Sequence, residues 1–468
     1  MYLSLAETVN SAHAAPQVSF AVTMLFLVIL VSVIAALAFE EKLHAKKSLI
    51  VGVAAILCLG LGALSGIVPL GKITLPGGHE ISLPLYISAV DWGVIAIILG
   101  SSLFVDVTSR SGLFTWIAIR LTKASAGDPL KLLWFYGLMT VLFSAVLNNV
   151  TAMLIVGSLT VVSLSKLGRR DLLLGFLLTE GLLTNVGGLL TLISSVPNII
   201  VGNAANISFV EFFLTASPYV VLATAATLLL SAKIFSVRRL AGNAEREQAL
   251  EKIQSFDEND GIESRLFFWF SALMLVLFIV AIAAASVLPA ELGMGFVALG
   301  FATLMLIRYK SEVDQFYRAL DWDLIGFFVA LFIVINVMEY AKVLDLIGEW
   351  IAVLIGEGRN APGTGGLLLA SAVASSVTDN IPLAAMLAKI LAAGEQVKEN
   401  AALWWSVVFG ANLGGNITPI GSASTLVAVT IIHKHKLAMS FMDFVKKASL
   451  FALMQLVIAI GYVLLVLY

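Results

Sequence analysis

Long apolar runs separated by short polar ones fill the 468-residue chain. Eight of them read as plain membrane helices: residues 17–39, 48–70, 91–107, 217–237, 266–288, 292–307, 322–340 and 447–468. Most match the roughly 17–25 residues that a helix needs to cross a hydrocarbon core about 30 Å thick. Two further stretches, 131–166 and 364–393, break the pattern. The first is too long for one helix, and both carry a polar middle, "SAVLNNVTAM" and "SSVTDNIPLAAM". The first also begins and ends beside basic residues that belong on one side. Each stretch therefore predicts a hairpin that enters the membrane, turns and leaves where it came in. The first turns at Asn148–Asn149.

Composition places the chain in a bilayer. It is 60% hydrophobic and 12% charged, with a mean hydropathy of +1.00, whereas soluble domains hold roughly a quarter charged residues. A net charge of −2 gives no reason to expect nucleic acid as a partner, and lipid is the expected surrounding. The lone Cys58 sits in an apolar run and reads as a small core or lipid-facing residue. "SAHAAPQ" looks like a cleavage region, but the apolar run follows it, so 17–39 reads as the first membrane helix. Lysine and arginine collect in "EEKLHAKK", "KLGRR", "SVRRLAGNAEREQALEK", "RYKSEVDQFYR" and "HKHK", which the positive-inside rule puts in the cytoplasm. "AGEQVKENA" goes outside. Both termini then lie outside, as expected of a multi-pass protein of a bacterial inner membrane.

The chain also repeats itself. "DWGVIAIILGSSLF" from Asp91 aligns with "DWDLIGFFVALFIV" from Asp321, and "LNNVTAML" with "TDNIPLAAML". "NVGGLLTLISSVPNII" from Asn185 aligns with "NLGGNITPIGSASTLV" from Asn412, and "SFVEFF" from Ser208 with "SFMDFV" from Ser440. The matches keep one order and one separation, roughly 230 residues, and the charge assignment sets the copies in opposite orientations. The expected class is an all-α polytopic membrane protein with about ten spanning helices and two re-entrant hairpins, in two inverted-topology repeats with broken helices. Residues 1–90 and 266–320 are expected to be scaffold helices, 91–237 and 321–468 the transport repeats, and the highly charged 238–265 a cytoplasmic linker.

The breaks carry the chemistry. Gly187–Gly188 and Gly414–Gly415, each with a proline several residues on, favour unwinding inside the membrane. Backbone groups freed there cost several kcal/mol unless protein, water or an ion satisfies them. Freed carbonyls suit a cation, and half-helix N-termini suit an anion or polar solute. Asn185, Thr191, Ser194, Ser195 and Asn198 in the first break add donors and acceptors without a fixed charge. Asn412, Asn416, Thr418, Ser422, Ser424 and Thr425 do the same in the second, where Gly421 is a further candidate through its backbone. With Asn148, Asn149 and Thr151 at one hairpin tip, and Asp379 and Asn380 at the other, they would enclose a polar site near the midplane. An isolated glycine pair is more simply a helix-packing device. Four polar breaks in two repeat-related pairs favour a binding site.

Asp379 is the one carboxylate at either tip, and its repeat mate Asn148 cannot titrate. A carboxylate at that depth either caps the hairpin or exchanges a proton or holds Na⁺. Glu180, in "LLTEGLLTNVGG", is a second coupling candidate unless it pairs with Arg169 or Arg170. Asp106 is expected beside Arg110, and "HKHK" at 433–436 is a positive-inside anchor rather than a metal tract. No Walker loop, zinc-ligand spacing or G-x-S-x-G elbow argues for an enzyme. No cofactor is called for beyond Na⁺ or H⁺ as coupling ion.

"SAVLNNVTAML", "SSVTDNIPLAAML" and "FGANLGGNITPIGSASTLVAV" resemble the ion transporter superfamily, in the branch of arsenite permeases, sodium/proton antiporters and the melanosomal P protein. The resemblance runs from about Asp91 to Phe444. Many members of that branch carry an aspartate–asparagine pair where this chain has Asn148–Asn149, which weakens a two-carboxylate cation site. The resemblance implies a homodimer whose subunits each combine a scaffold with a mobile transport part in an elevator-like cycle. It also implies an ATPase subunit as partner if the cargo is arsenite. The expected function is secondary active transport of a small inorganic ion or oxyacid, first of all arsenite or antimonite efflux coupled to protons. Sodium/proton antiport, a carboxylate or sulfate symporter and a passive channel are the alternatives.

Overall fold

The computed structural model describes residues 18–68, 71–74, 80–285, 293–356, 360–394 and 400–468. The cleavage-like segment, the end of the run at 266–288, the start of the run at 292–307, the last two residues of 48–70 and most of "AGEQVKENA" lie outside them. The chain is an all-α polytopic membrane protein in two inverted-topology repeats, with, among the described residues, one short antiparallel ribbon, β1 (Gly71–Thr74) against β2 (Glu80–Leu83). The described residues divide into two compact units, those within 1–91 and 322–350, and those within 92–321 and 351–468.

The first unit holds α1 (Phe20–Ala38), α2 (Glu40–Leu43), α3 (Lys47–Leu64), α4 (Leu85–Ser88), α16 (Trp322–Tyr340) and the start of α17 (Val343–Ile355). In α1 Phe26, Leu30, Val33 and Leu37 are buried at three- and four-residue spacing, while Leu25, Val28 and Val31 are exposed. One stripe packs inward and the rest suits lipid. α3 lies along α16. There the Ser48 hydroxyl donates to Asp323 Oδ1 at 2.5 Å and its N–H donates to the same oxygen at 3.3 Å. A free donor of the first turn of α3 is thereby satisfied by a side chain about 275 residues away. Cys58 is buried in this unit.

The second unit begins with α5 (Trp92–Ser109), which packs on α14 (Gly293–Leu306) so closely that a Cβ on Gly100 would lie 2.4 Å from the Ala298 carbonyl carbon. After α6 (Leu113–Ala124), the first hairpin is α7 (Pro129–Val146) and α8 (Asn149–Leu167). Asn148 caps it, its Oδ1 accepting from the Thr151 N–H at 2.8 Å. Then come the broken helix α9 (Leu173–Gly187) and α10 (Val196–Ala204), the long α11 (Phe209–Ile234), the linker helix α12 (Asn243–Gln254), α13 (Arg265–Ala284), and α15 (Val313–Ala319) after α14. The second repeat supplies the hairpin α18 (Ala361–Val377) and α19 (Asn380–Ala393), the broken helix α20 (Ala401–Gly414) and α21 (Ala423–Lys434), and α22 (Phe441–Tyr462).

Among the described residues nine helices are long and apolar enough to cross a bilayer, α7 and α8 included. A broken helix escapes such a count because its pieces are short: 15 and 9 residues in the first repeat, 14 and 12 in the second. Two helices start earlier than their apolar runs suggest. α11 begins after Ser208 and carries Pro218 inside, and α22 begins after Ser440. Both serines are N-caps, accepting from the Glu211 and Asp443 N–H groups at 3.2 and 3.1 Å. The matched "SFVEFF" and "SFMDFV" are thus two copies of one capping device.

The linker segment is strapped to the base of the first repeat. Lys252 Nζ donates to the Leu167 carbonyl at 3.0 Å, and the Leu240 N–H donates to Asp128 Oδ2 at 3.2 Å. Glu258 accepts from Arg120 at 2.9 Å and Lys123 at 3.0 Å. The carboxyl of Glu258 is held below the usual carboxylate range, first by the Lys123 hydrogen bond and then by Arg120.

Candidate functional site

Each hairpin is stitched to the broken helix of its own repeat by the same three contacts. In the first repeat the Ser144 hydroxyl donates to the Thr184 carbonyl (2.6 Å) and the Thr191 hydroxyl to the Ala145 carbonyl (2.5 Å). In the second, Ser375 donates to the Ala411 carbonyl and Thr418 to the Ser376 carbonyl, each at 2.5 Å. The third contact is a close backbone approach. A Cβ on Gly187 would fall 2.7 Å from Val141 Cα, and one on Gly414 would fall 2.2 Å from the Ala372 carbonyl oxygen. The paired glycines therefore do two jobs: they end the helix, and they let the hairpin backbone touch it.

Across the repeats the breaks hold each other. Ser195 of the first donates to Asn412 Oδ1 of the second at 2.8 Å, and Ser422 of the second donates to Asn185 Oδ1 of the first at 2.9 Å. Asn185 Oδ1 also accepts from Ser424 (3.2 Å) and Asn149 (3.2 Å), and its amide donates to Asn416 Oδ1 (2.8 Å). Asn412 donates to Asn198 Oδ1 (2.9 Å), and Asn198 donates to the freed carbonyls of Gly188 (2.6 Å) and Thr191 (3.0 Å). Ser194 donates to the same two carbonyls, and Thr425 donates to those of Ser422 and Pro419. So the backbone released by unwinding is met largely by side chains of the break itself, as oil demands.

Most residues singled out in the sequence meet here, and some stand apart. Asn148 and Asp379 are helix caps; the Ile381 N–H donates to Asp379 Oδ1 at 3.2 Å. Thr151 donates its backbone N–H to the Asn148 cap. Asn149 joins the network through Ser144 and Asn185. Its repeat mate Asn380 is buried but shows no side-chain hydrogen bond among the described residues. A Cβ on Gly188 would strike the Asn149 amide at 2.6 Å, and one on Gly415 would strike Ser422 Cβ at 2.8 Å. Gly421 sits against the Ser375 carbonyl, where a Cβ would come within 3.0 Å. Sequence reasoning missed Gln455. From α22 it accepts from Asn416 at 2.7 Å and donates to Thr227 at 3.0 Å. A glutamine alone in an apolar span was the available signal.

Glu180 does not pair with Arg169 or Arg170. Arg169 turns to Asp171 and Arg170 to Ser165, because both precede α9 and face outward. Glu180, two turns inside α9, is 1% exposed and accepts from the Thr160 hydroxyl at 2.6 Å. Its Oε2 has no hydrogen-bond partner among the described residues. Arg110 bonds Gln315 and lies over the Phe316 ring, leaving Asp106 Oδ2 buried without a hydrogen bond. His433 of the "HKHK" tract donates to the Met439 carbonyl at 2.7 Å, closing the end of α21.

The side chains that bond one another in this network are asparagine, glutamine, serine and threonine; none is charged. Among the described residues no group of three or more His, Cys, Asp or Glu could hold a metal ion. The arrangement offers amide and hydroxyl groups and backbone carbonyls to a small solute or a monovalent cation.

Comparison with known proteins agrees with this architecture. The chain is 28% identical over 405 residues to an uncharacterized transporter of Mycobacterium tuberculosis, covering 86% of this chain and 92% of that one. It is 24% identical to the mouse P protein, over 86% of this chain and 57% of that one. Among solved structures, the YdaH transporter of Alcanivorax borkumensis superposes with a TM-score of 0.55 at 14% identity, covering 90% of this chain and 98% of that chain. MtrF of Neisseria gonorrhoeae, from a class of antimetabolite efflux pumps, gives 0.53 at 14% identity, covering 90% and 95%. Both likenesses concern the fold. The family model described as CitMHS, citrate transporter, matches residues 34–410, and the chain, a membrane transporter, belongs to that family.

Proposed function

We propose that the protein is a secondary active transporter that exchanges a small, oxygen-rich solute without fixed negative charge for protons, with arsenite or antimonite as the first cargo to test. One observation carries this reading: the two breaks meet in a network of amides and hydroxyls that contains no lysine or arginine. An arsenite triol near neutral pH needs donors and acceptors rather than a counter-charge, and such a network supplies both. On this reading the membrane is a bacterial inner membrane, and the basic loops support a cytoplasmic linker at 238–265 with both termini outside.

A second reading, carboxylate transport, draws on the family's description as citrate transporters. A polyanion entering an uncharged site would have to bring a cation with it, since an unpaired charge in a low-dielectric interior is costly. Proteoliposome uptake of arsenite, citrate and Na⁺, each with and without an imposed pH gradient, tests both readings. Arsenite movement that responds to the gradient and weakens in Asn185→Leu and Asn412→Leu supports the first. Citrate uptake that needs a divalent cation, with no arsenite movement, replaces it with the second. Flux of any of them that persists without a coupling gradient points to a channel.

A further inference from the structure

Glu180 is a fully buried carboxylate that the network at the breaks does not use. Glu180 lies in α9, between the outward-turned Arg169 and Arg170 and the break at Gly188. Elements packed against α9 are α7, α8, α11, α20, α21, α22 and the short turn Arg170–Leu172, whose Arg170 and Asp171 are exposed. Their basic groups, at Lys131, Lys166, Lys233, His433–Lys434 and Lys446–Lys447, are all exposed at helix ends, as are the acids Glu211 and Asp443. Tyr219 donates to the Gln455 carbonyl and Tyr462 to the Thr215 carbonyl. That leaves Tyr136 as the titratable group within electrostatic reach of Glu180. A proton is the counter-charge that needs no further volume there.

A line of buried hydroxyls approaches Glu180 from the linker side. Thr122 Oγ1 lies 2.9 Å from Tyr136 Oη, which lies 2.7 Å from Ser163 Oγ. Thr160, the donor to Glu180, sits one turn before Ser163 on the same face of α8, with Cβ atoms about 5–6 Å apart. At the outer end, Ser125 donates to the Thr122 carbonyl and accepts from the Gly127 N–H. The neighbouring Lys123 is held by Glu258 of the linker.

We propose that Glu180 carries the coupling proton and that Thr122, Tyr136, Ser163 and Thr160 conduct it from the linker side. From Thr122 through Tyr136 to Ser163 each hydroxyl oxygen accepts one proton and releases its own; one water molecule then bridges Ser163 and Thr160, whose hydroxyls share no hydrogen bond, and Thr160 hands one H⁺ to the carboxylate while every relay group ends unchanged. Glu180 sits on the same half-helix as Asn185, so loading it joins the charge state of α9 to the binding network. Movement of α9 through oil is open to the neutral acid and closed to the bare carboxylate. This inference rests on the proton-exchange reading above.

The test uses the whole protein in liposomes, with arsenite and citrate as probes, and compares wild type, Glu180→Gln and Thr160→Val. Glu180→Gln is expected to keep solute counterflow within about twofold of wild type while stimulation by a pH gradient falls to none. Thr160→Val keeps the acid but removes its donor, and should move the midpoint of the rate–pH profile by about one unit. Infrared titration should show a protonated-carboxyl band that is missing in Glu180→Gln. Should Glu180→Gln fail to fold, the Thr160→Val midpoint decides, and an unchanged midpoint overturns the proposal. Wild type that ignores the gradient with both probes sinks the proton-exchange reading, and this inference with it. Wild type that responds while Glu180→Gln responds equally overturns this inference alone.

Discussion

Replacing Gly414 by alanine tests how the site is held together. The added Cβ would lie 2.2 Å from the Ala372 carbonyl oxygen, 2.8 Å from its Cα and 2.8 Å from Ser375 Cβ. Since non-bonded heavy atoms rest at about 3.5–4.0 Å, α18 would have to retreat by roughly 1 Å. The retreat would pull on the 2.5 Å hydrogen bond from Ser375 to the Ala411 carbonyl, which lies one turn before Gly414. Overpacking of this kind costs about 1–3 kcal/mol, and backbone is harder to move than a side chain. The better helix propensity of alanine returns at most about 1 kcal/mol. A net loss near 2 kcal/mol is expected, together with weaker solute binding. Gly60→Ala in α3 is the control, because a Cβ there meets nothing within 4 Å. Gly187→Ala should resemble Gly414→Ala in kind but cost less, its nearest approach being 2.7 Å. Thermal unfolding of the purified proteins in detergent, followed by tryptophan fluorescence, gives the ranking. Equal stability of Gly414→Ala and Gly60→Ala would refute the close-approach argument.

Ser195→Ala removes the donor to Asn412 Oδ1 and should cost roughly 1–3 kcal/mol. Ser422→Ala leaves Asn185 Oδ1 with Asn149 and Ser424 as donors and should cost about 1 kcal/mol or less; equal losses in thermal unfolding count against the network. At the second hairpin tip, Asp379→Asn keeps the cap, whereas Asp379→Ala loses about 1 kcal/mol. The rate–pH profile of Asp379→Asn should run parallel to wild type in liposomes, and a flattened profile would move proton coupling to the tip. For the linker strap, the depressed folded-state titration of Glu258 means its stabilisation is present above the unfolded value of about 4.3 and is lost as pH falls through the lower folded one. A spin label at Ser255 should therefore be more mobile in Glu258→Gln than in wild type at neutral pH, with the difference vanishing in acid and in high salt.

The fold was legible because a membrane leaves a chain few choices. Apolar runs of spanning length, polar interruptions and a displaced self-match are visible in one dimension, and "LNNVTAML" and "TDNIPLAAML" became hairpin tips as the pattern indicated. Helix starts were less legible. Nothing in the hydropathy of Glu211 or Asp443 marks them as lying inside α11 and α22, since the local rule that decides is the serine cap before each. The partners across the repeats were not legible at all. That Ser195 would meet Asn412 while Ser422 met Asn185 depends on how two breaks approach each other, which no spacing encodes. The partner of Glu180 was left open for a related reason. Proximity in sequence suggested Arg169 and Arg170, but a helix carries a side chain about 1.5 Å along its axis per residue, so Glu180 is a full two turns away from its start.

The reciprocity of the breaks also shows where the two repeats cease to be equivalent. Hairpin stitching and the serine–asparagine exchange are doubled almost contact for contact. Position 416 is not: Asn416 ties Asn185 to Gln455 and to the Leu182 carbonyl, whereas its repeat mate Leu189 has no polar side chain to offer. Asn149 and Asn380 differ in the same sense, the first bonded to its break and the second not. In a carrier whose opposite-facing states exchange the roles of its inverted repeats, fully matched repeats would make those states equal in energy. Here the polar contacts accumulate around Asn185, on the half-helix that also bears Glu180. If Glu180 carries the coupling proton as proposed, the imbalance sits on the element whose charge that proton changes, and it would act on states that already differ in energy.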